Sequence, residues 1–208
     1  VAELQRRGVL GPSTALAHCV AIEPEDRARI ASSGAVVVHN PLANMRLASG
    51  LADIPALMEA GANVALGTDG AASNDAQNLW ESIKLAALLP RQPGSDPARW
   101  PDSARVLVMA SDAGQKVLRP AADSKAAGTI RPGHVADLAV IAQDPDGYAP
   151  GEVGARLVLG PTNRTARHVV AGGRVLMRDG RLTTLDEAAL DAALRQIAAP
   201  SRTKEHAA

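Results

Sequence analysis

Apolar positions along the chain gather into short clusters, parted by glycine, proline and polar residues, and their spacing alternates between two kinds. Residues 1–8 carry a helix-like pattern that stops at Gly8. Residues 14–17 form a short apolar run that ends at His18. EPEDRARIASSG (residues 23–34) predicts a helix, with Pro24 in the first turn, where proline is tolerated, and Gly34 as its stop. AVVVHN (35–40) is β-branched and too short for a helix, so it predicts a strand ending at His39. SGLADIPALMEAG (49–61) predicts a second helix, with Pro55 early and Gly61 as its stop. NVALGTD (63–69) predicts a third strand ending at Asp69. Ser73, Asn74 or Asp75 is suited to cap the next helix, NDAQNLWESIKLAALL.

Strand and helix alternate three times, and the strands are apolar on both faces, which argues for a parallel sheet covered by helices. After a polar, proline-rich loop at residues 91–102, SARVLVMASDAGQKVL (103–118) reads as one further helix. The texture then changes. KAAGTIRPGHVADLAVIAQD and ARHVVAGGRVLMRDGRL read as short strands, and Gly172-Gly173 has the chemistry of a two-residue hairpin turn. LDEAALDAALRQIAA (185–199) is amphipathic and predicts a last helix, followed by a frayed tail. Three pieces result: an α/β region over 1–120, a β element over 121–184, and a helix with tail over 185–208.

Composition narrows the function classes. The chain has 208 residues with 22 basic and 22 acidic ones, so nothing recommends a polyanion or a membrane surface as partner. Phe is absent and the aromatic residues are Trp80, Trp100 and Tyr148, which argues against stacking on nucleic acid and for a core of Ala, Val, Leu and Ile. One cysteine, Cys19, rules out a disulfide framework within the chain and the paired-cysteine zinc deaminase signature. With no apolar run of about 18 residues, the chain reads as soluble and cytoplasmic.

The candidate chemistry lies where the three strands end, at His18, His39 and Asp69. Active sites of parallel α/β folds stand at the carboxyl ends of their strands. Two imidazoles and a carboxylate there suit a divalent metal and its water. Each residue also has a plain reading. A strand-end histidine can bond a backbone carbonyl, and Asp69 can form an Asx turn. Three successive strands ending this way argue for a site. His134 and His168 read as surface residues of the β element, His206 as part of the tail, Cys19 as a small buried hydrophobe, and Glu81 with Lys84 as a solvated helical pair.

LAHCV, VVHNPLANMRLASG and NVALGTDGAASND resemble the last three strand ends of the amidohydrolase superfamily barrel. The nearest branch is the metal-dependent deaminases and chlorohydrolases of nitrogen heterocycles, which includes methylthioadenosine/S-adenosylhomocysteine deaminase, guanine deaminase and the triazine hydrolases. AAGTIRPGHVADLAVI and HVVAGGRVLMRDGRL are similar to that branch's closing strands of a small sandwich. The resemblance implies an α/β fold: strands 6–8 of a (β/α)8 TIM-type barrel, part of a β-sandwich, and a C-terminal helix. It makes Asp69 a metal ligand that also shuttles a proton. His18 becomes the histidine that touches the metal-bound water or the reacting group, and a second candidate ligand. His39, Asn40 and Asn44 shape the pocket, with Ser73 and Asn74 in support. The implied cofactor is one divalent metal, zinc before iron. The implied substrate is a small aminated N-heterocycle of purine or triazine type, with no nucleic acid and no membrane as partner and a homo-oligomer left open. HNP after the second strand leans toward the adenosine-type or triazine relatives.

The His-x-His and His-x-x-Glu motifs of the superfamily do not occur in these residues, and Arg119 stands where relatives carry glycine. A barrel of this type needs about 250 residues and eight strands. The chain therefore reads as the C-terminal half of an amidohydrolase, expected to be prone to aggregate and catalytically silent alone, with the other barrel half as its missing partner. Two alternatives stand beside the deaminase: a chlorohydrolase or dealkylaminase using the same pocket, and a non-catalytic partner subunit.

Overall fold

A computed structural model describes residues 1–118, 128–142, 149 and 151–198. Arg119, Tyr148, His206 and the tail from 199 onward lie outside the described residues, as does part of the expected β element. The chain divides into two compact units. The first holds the described residues of Val1–Val135 and Gln143–Arg164, the second those of Ala136–Ala142 and Thr165–Ala208.

The first unit is built on three parallel strands in the order β1-β2-β3: β1 (Ala15–Ala17), β2 (Val36–His39) and β3 (Asn63–Leu66). Val36 pairs with Ala15 and Asn63, and His39 with Leu66. Helix α1 (Ala2–Arg6) precedes β1, and α2 (Pro24–Ser33) joins β1 to β2. Pro24 sits in the first turn of α2, and Gly34 ends it in the left-handed conformation at φ 75°. Between β2 and β3 run α3 (Pro41–Arg46) and α4 (Ile54–Glu59). The expected helix over 49–61 is thus shorter. Asp53 caps it by accepting from Ala56 N, because Pro55 cannot supply a donor inside a helix and settles in the first turn. Helix α3 was not anticipated; its Pro41 opens it at a first turn where no N–H is needed.

Helix α5 (Leu79–Leu88) follows β3 and is capped by Asn78, whose side chain accepts from Trp80 N. The expected caps Ser73, Asn74 and Asp75 lie in the loop before it, and the first two are held there by bonds described below. A short 3₁₀ turn at Pro97–Arg99 leads to α6 (Ser103–Ala110) and α7 (Asp112–Leu118). These were expected as one helix. Ser111 breaks it: its hydroxyl donates to Leu107 O four residues back, a bond that competes with the helix ladder, and its backbone leaves the helical region at φ −127°, ψ −87°.

One face of the sheet carries the main core. Val37, Val64 and Leu66 pack with Ile30 of α2, Ile54 and Leu57 of α4, Ile83 of α5, and Val106 and Met109 of α6. Val36 and Ala65 face the other way, against Ala113 of α7. The core is aliphatic, as a chain without Phe demands. Each fully buried Val, Leu or Ile side chain is worth roughly 1.5–3 kcal/mol. Helix α8 (Val153–Leu159) belongs to this unit, and its Val158 joins the same core. It falls within the stretch expected to be β, and corrects that reading. VGARLVL is apolar enough to pass for a strand, but its spacing suits about two helical turns laid on α5 and α6. Lys84 donates from Nζ to Gly160 O at the end of α8, so its ammonium is spent there and not on Glu81.

The second unit is an antiparallel meander, β4 (Leu138–Ile141), β5 (Ala166–Ala171), β6 (Arg174–Arg178) and β7 (Arg181–Leu182), with helix α9 (Glu187–Ala198). Gly172 and Gly173 form the expected hairpin turn, both at positive φ (56° and 80°). Among the described residues no helix is long and apolar enough to cross a membrane.

Candidate functional site

Strands β1 and β3 both release their chemistry through a left-handed residue. His18 follows β1 at φ 68° and Asp69 follows β3 at φ 62°. Non-glycine residues held in this region cost of order 1–3 kcal/mol, and such strain gathers at functional sites. His18 is fastened by its N–H to Val38 O at 2.9 Å. The turn after β3 depends on Gly67, whose N–H donates to His39 O at 3.0 Å. A Cβ there would come within 2.3 Å of Asn40 Oδ1 and 2.9 Å of Val38 Cγ1, so only glycine lets the two strand ends lie side by side.

The outcome is a pair: His18 Nε2 lies 3.9 Å from Asp69 Oδ2, both side chains about one-third open to solvent. Each partner is held from behind. His18 Nδ1 is 2.7 Å from Oδ1 of the buried Asn44. Asp69 Oδ1 accepts from Gly70 N at 2.8 Å and Oδ2 from the Ser73 hydroxyl at 2.7 Å. The Ser73 hydroxyl first, then the Gly70 N–H, and to a lesser degree the charge of His18 hold the Asp69 carboxyl below the usual carboxylate range. It is therefore an ionised base at neutral pH. The Asx-type bond to Gly70 and the site reading hold together: the turn that caps the carboxylate also aims it.

Asn74 is fully buried and pins this loop, donating to Thr68 O at 2.9 Å and accepting from Gln77 N at 3.1 Å. Ser82 of α5, also buried, donates to Gly67 O at 2.9 Å. Its part in bracing the strand end was not read from the sequence; its place on the inward face of an amphipathic helix was the available signal. Asn40 is buried and donates to Val38 O.

His39 does not join the pair. By strand alternation it shares a side with Val37, is 3% exposed, and lines a cleft with Leu51, Ile54, Pro55 and Trp100, whose walls include neither His18 nor Asp69. Its Nδ1 is buried without a hydrogen-bond partner among the described residues. Burial, helped by the nearby charge of His18, pushes its pKa down to about 4, so the ring is neutral. Cys19 is half-buried against the core, its thiol pKa raised by burial, and behaves as a packing residue. His168 is tied to Asp179 and His134 to Thr129 by local bonds. Among the described residues no three His, Cys, Asp or Glu side chains converge as a metal cluster.

The chain spans about two-fifths of the length of the curated relatives it matches. It is 38% identical over 191 residues to a 5-methylthioadenosine/S-adenosylhomocysteine deaminase of Syntrophobacter fumaroxidans, covering 89% of this chain and 42% of that protein. It is 33% identical over 189 residues to a 5'-deoxyadenosine deaminase of Methanopyrus kandleri, covering 88% and 42%. Among solved structures it superposes on an adenosine deaminase from Xanthomonas campestris with bound zinc at a TM-score of 0.82 and 30% identity, covering 94% of this chain and 44% of that one. It superposes on the atrazine chlorohydrolase of Arthrobacter aurescens complexed with zinc at 0.77 and 29%, covering 93% and 42%. The profile of the amidohydrolase family matches residues 1–176. A mixed α/β chain that carries this profile over most of its length belongs to the amidohydrolase family.

Proposed function

We propose that these residues are the closing portion of a metal-dependent amidohydrolase that removes an amino group from a nitrogen heterocycle of the adenosine type. The observation that carries the reading is the His18–Asp69 pair, 3.9 Å apart at the carboxyl edge of a parallel sheet. Relatives named as deaminases of adenosine-type compounds support it. The first unit then supplies strands 6–8 of a (β/α)8 barrel. Three strands in sequential order with helices between them, and no strand beyond β1 or β3 among the described residues, suit an arc of such a ring. The second unit supplies part of the flanking β-sandwich.

The two donors fit a zinc-type ion as part of a set. An ionised carboxylate oxygen and an imidazole nitrogen side by side have the chemistry of zinc ligands, and among the described residues neither atom is locked in a salt bridge with a lysine or arginine. Asp69 would hold the metal, with His18 Nε2 as a second donor, and a four-ligand set requires further groups from other strands. A divalent metal, when bound, supplies a water acidified toward neutral pH. Asp69, ionised and aimed by Ser73 and Gly70, takes the proton from the water as its oxygen bonds to the ring carbon bearing the amine. It then returns that proton to the departing nitrogen while the water's second proton ends on the adjacent ring nitrogen, so that one water enters, one ammonia leaves and the ring carbon becomes a carbonyl. His18 stands beside the same oxygen and orients it. Asn74 and Ser82 keep the strand end rigid through these steps.

A second reading, hydrolytic dechlorination in the same pocket, is favoured by the superposition on the atrazine chlorohydrolase at a TM-score of 0.77. The two separate on product. The protein that carries this chain together with the rest of its barrel is offered 5'-deoxyadenosine, methylthioadenosine and a chlorotriazine. Ammonia release from the nucleosides supports the deaminase; chloride release without ammonia overturns it in favour of the second reading.

A further inference from the structure

We propose that Asn44 is a positioning residue that locks His18 as the Nδ1–H tautomer, so that the ring turns a bare lone pair at Nε2 toward Asp69. Asn44 stands on α3, is 1% exposed, and its Oδ1 lies 2.7 Å from His18 Nδ1. An amide oxygen only accepts, so the shared hydrogen belongs to Nδ1. A neutral imidazole has one such hydrogen, which leaves Nε2 without one. Nε2 faces Asp69 Oδ2 at 3.9 Å, too far for a direct hydrogen bond, and that oxygen already accepts from Ser73. Two electron-pair donors thus look at one another across a gap, and the chemistry that fills it is electron-poor: a divalent cation, or the O–H or N–H of a water or ligand.

The backbone fixes Asn44 as firmly as its side chain fixes His18. Asn44 N donates to Asn40 O at 3.0 Å and Asn44 O accepts from Ser49 N at 2.9 Å, closing the short helix on both sides of the residue. His18 is held by its N–H on Val38 O. Both residues of the 2.7 Å contact are therefore anchored by main-chain bonds, and the tautomer follows from the amide orientation that sets Oδ1 on Nδ1 and leaves the buried Nδ2 without a partner among the described residues. The catalytic meaning of this lock rests on the deaminase reading, but the tautomer does not, and the two fail separately. The consequence for that reading is specific: the His18 ring in its neutral form offers a lone pair, and not an N–H, to the reacting oxygen's side.

The test reads ring nitrogens rather than turnover. The full chain, labelled with 15N-histidine, is measured at about pH 8.5, above the ordinary histidine range, by long-range 15N–1H correlation or, if the sample self-associates, by solid-state 15N spectra. His18→Gln identifies the signal by its loss. The expected result is a protonated Nδ1 and an unprotonated Nε2 in the wild type and in Asn44→Asp, which keeps the acceptor. In Asn44→Leu the Nδ1–H form is lost in favour of Nε2–H. A wild-type ring carrying its hydrogen on Nε2 means the Asn44 amide donates, and overturns the proposal. So does an Asn44→Leu chain that keeps the Nδ1–H form. Should Asn44→Leu fail to fold, the wild type and Asn44→Asp still decide.

Discussion

His39 is the buried residue whose chemistry reaches furthest into stability. Its ring is 3% exposed, its Nδ1 has no partner among the described residues, and burial lowers its pKa from 6.5 to about 4. The folded state thus binds a proton less readily than the unfolded chain. Stability is fully present above about pH 6.5 and is lost as the pH falls toward 4, because only the unfolded chain gains by protonation across that window. The whole loss is about 3 kcal/mol by the linkage relation. Urea unfolding followed at pH 7.5 and at pH 5 checks it: the midpoint should drop in the wild type and drop less in His39→Leu. Equal slopes in the two chains would remove His39 from the account. Asp69 adds nothing in this window, since its folded pKa is lowered and its contribution fades only below the ordinary carboxylate range. At this scale the sequence was partly legible. The strand-end positions of His18 and Asp69 were readable from period and punctuation. That His39 turns into the helix layer was not, because facing depends on strand alternation at a position where the strand is about to end.

Among the elements, the ones readable from the chain are those with local stop signals. Helix α2 begins at Pro24 and ends at Gly34 because those residues permit little else. The turn at Gly172-Gly173 is equally local. The elements that were misread are decided by partners far along the chain. Helix α5 starts at Asn78, not at Asn74, because Asn74 is committed to Thr68 O and Asn78 also reaches Thr162 O at 2.7 Å. Helix α8 is helical because Val158 has a core to enter. The brace between α5 and β3 gives a direct test. Ser82→Ala leaves Gly67 O without its side-chain donor in a buried place, which should destabilise the chain by about 1–2 kcal/mol. An unchanged denaturation midpoint would show that the bond carries no weight.

Taken whole, the molecule leaves open what comparable folds close. β1 and β3 each have one edge without a strand partner among the described residues, and unpaired edges invite pairing with other chains. In the second unit Leu138 and Val140 of β4, and Leu190, Leu194 and Ile197 of α9, are exposed, Ile197 at 81%. An apolar stripe at helical spacing that faces water is a surface in search of cover. The isolated chain should therefore self-associate: light scattering at micromolar concentration is expected to report species larger than a monomer, and a clean monomer of 21.4 kDa would contradict this. On the proposed function the His18–Asp69 pair offers two donors, and the remaining ligands of a four-coordinate metal come from elsewhere.

The central claim is that Asp69 carries the proton in a hydrolytic deamination. Its most direct test is the steady-state rate of ammonia release from an adenosine-type nucleoside by a protein that joins this chain to the further barrel strands of the proposed reading, measured for the wild type and for Asp69→Asn. The variant keeps one oxygen for Gly70 N, turns an amide N–H toward the Ser73 hydroxyl, which still has Gly70 O to donate to, and loses the base. The account predicts a fall of roughly 10²–10⁴-fold with an unchanged circular dichroism spectrum. A folded Asp69→Asn protein that turns over at near the wild-type rate would contradict it.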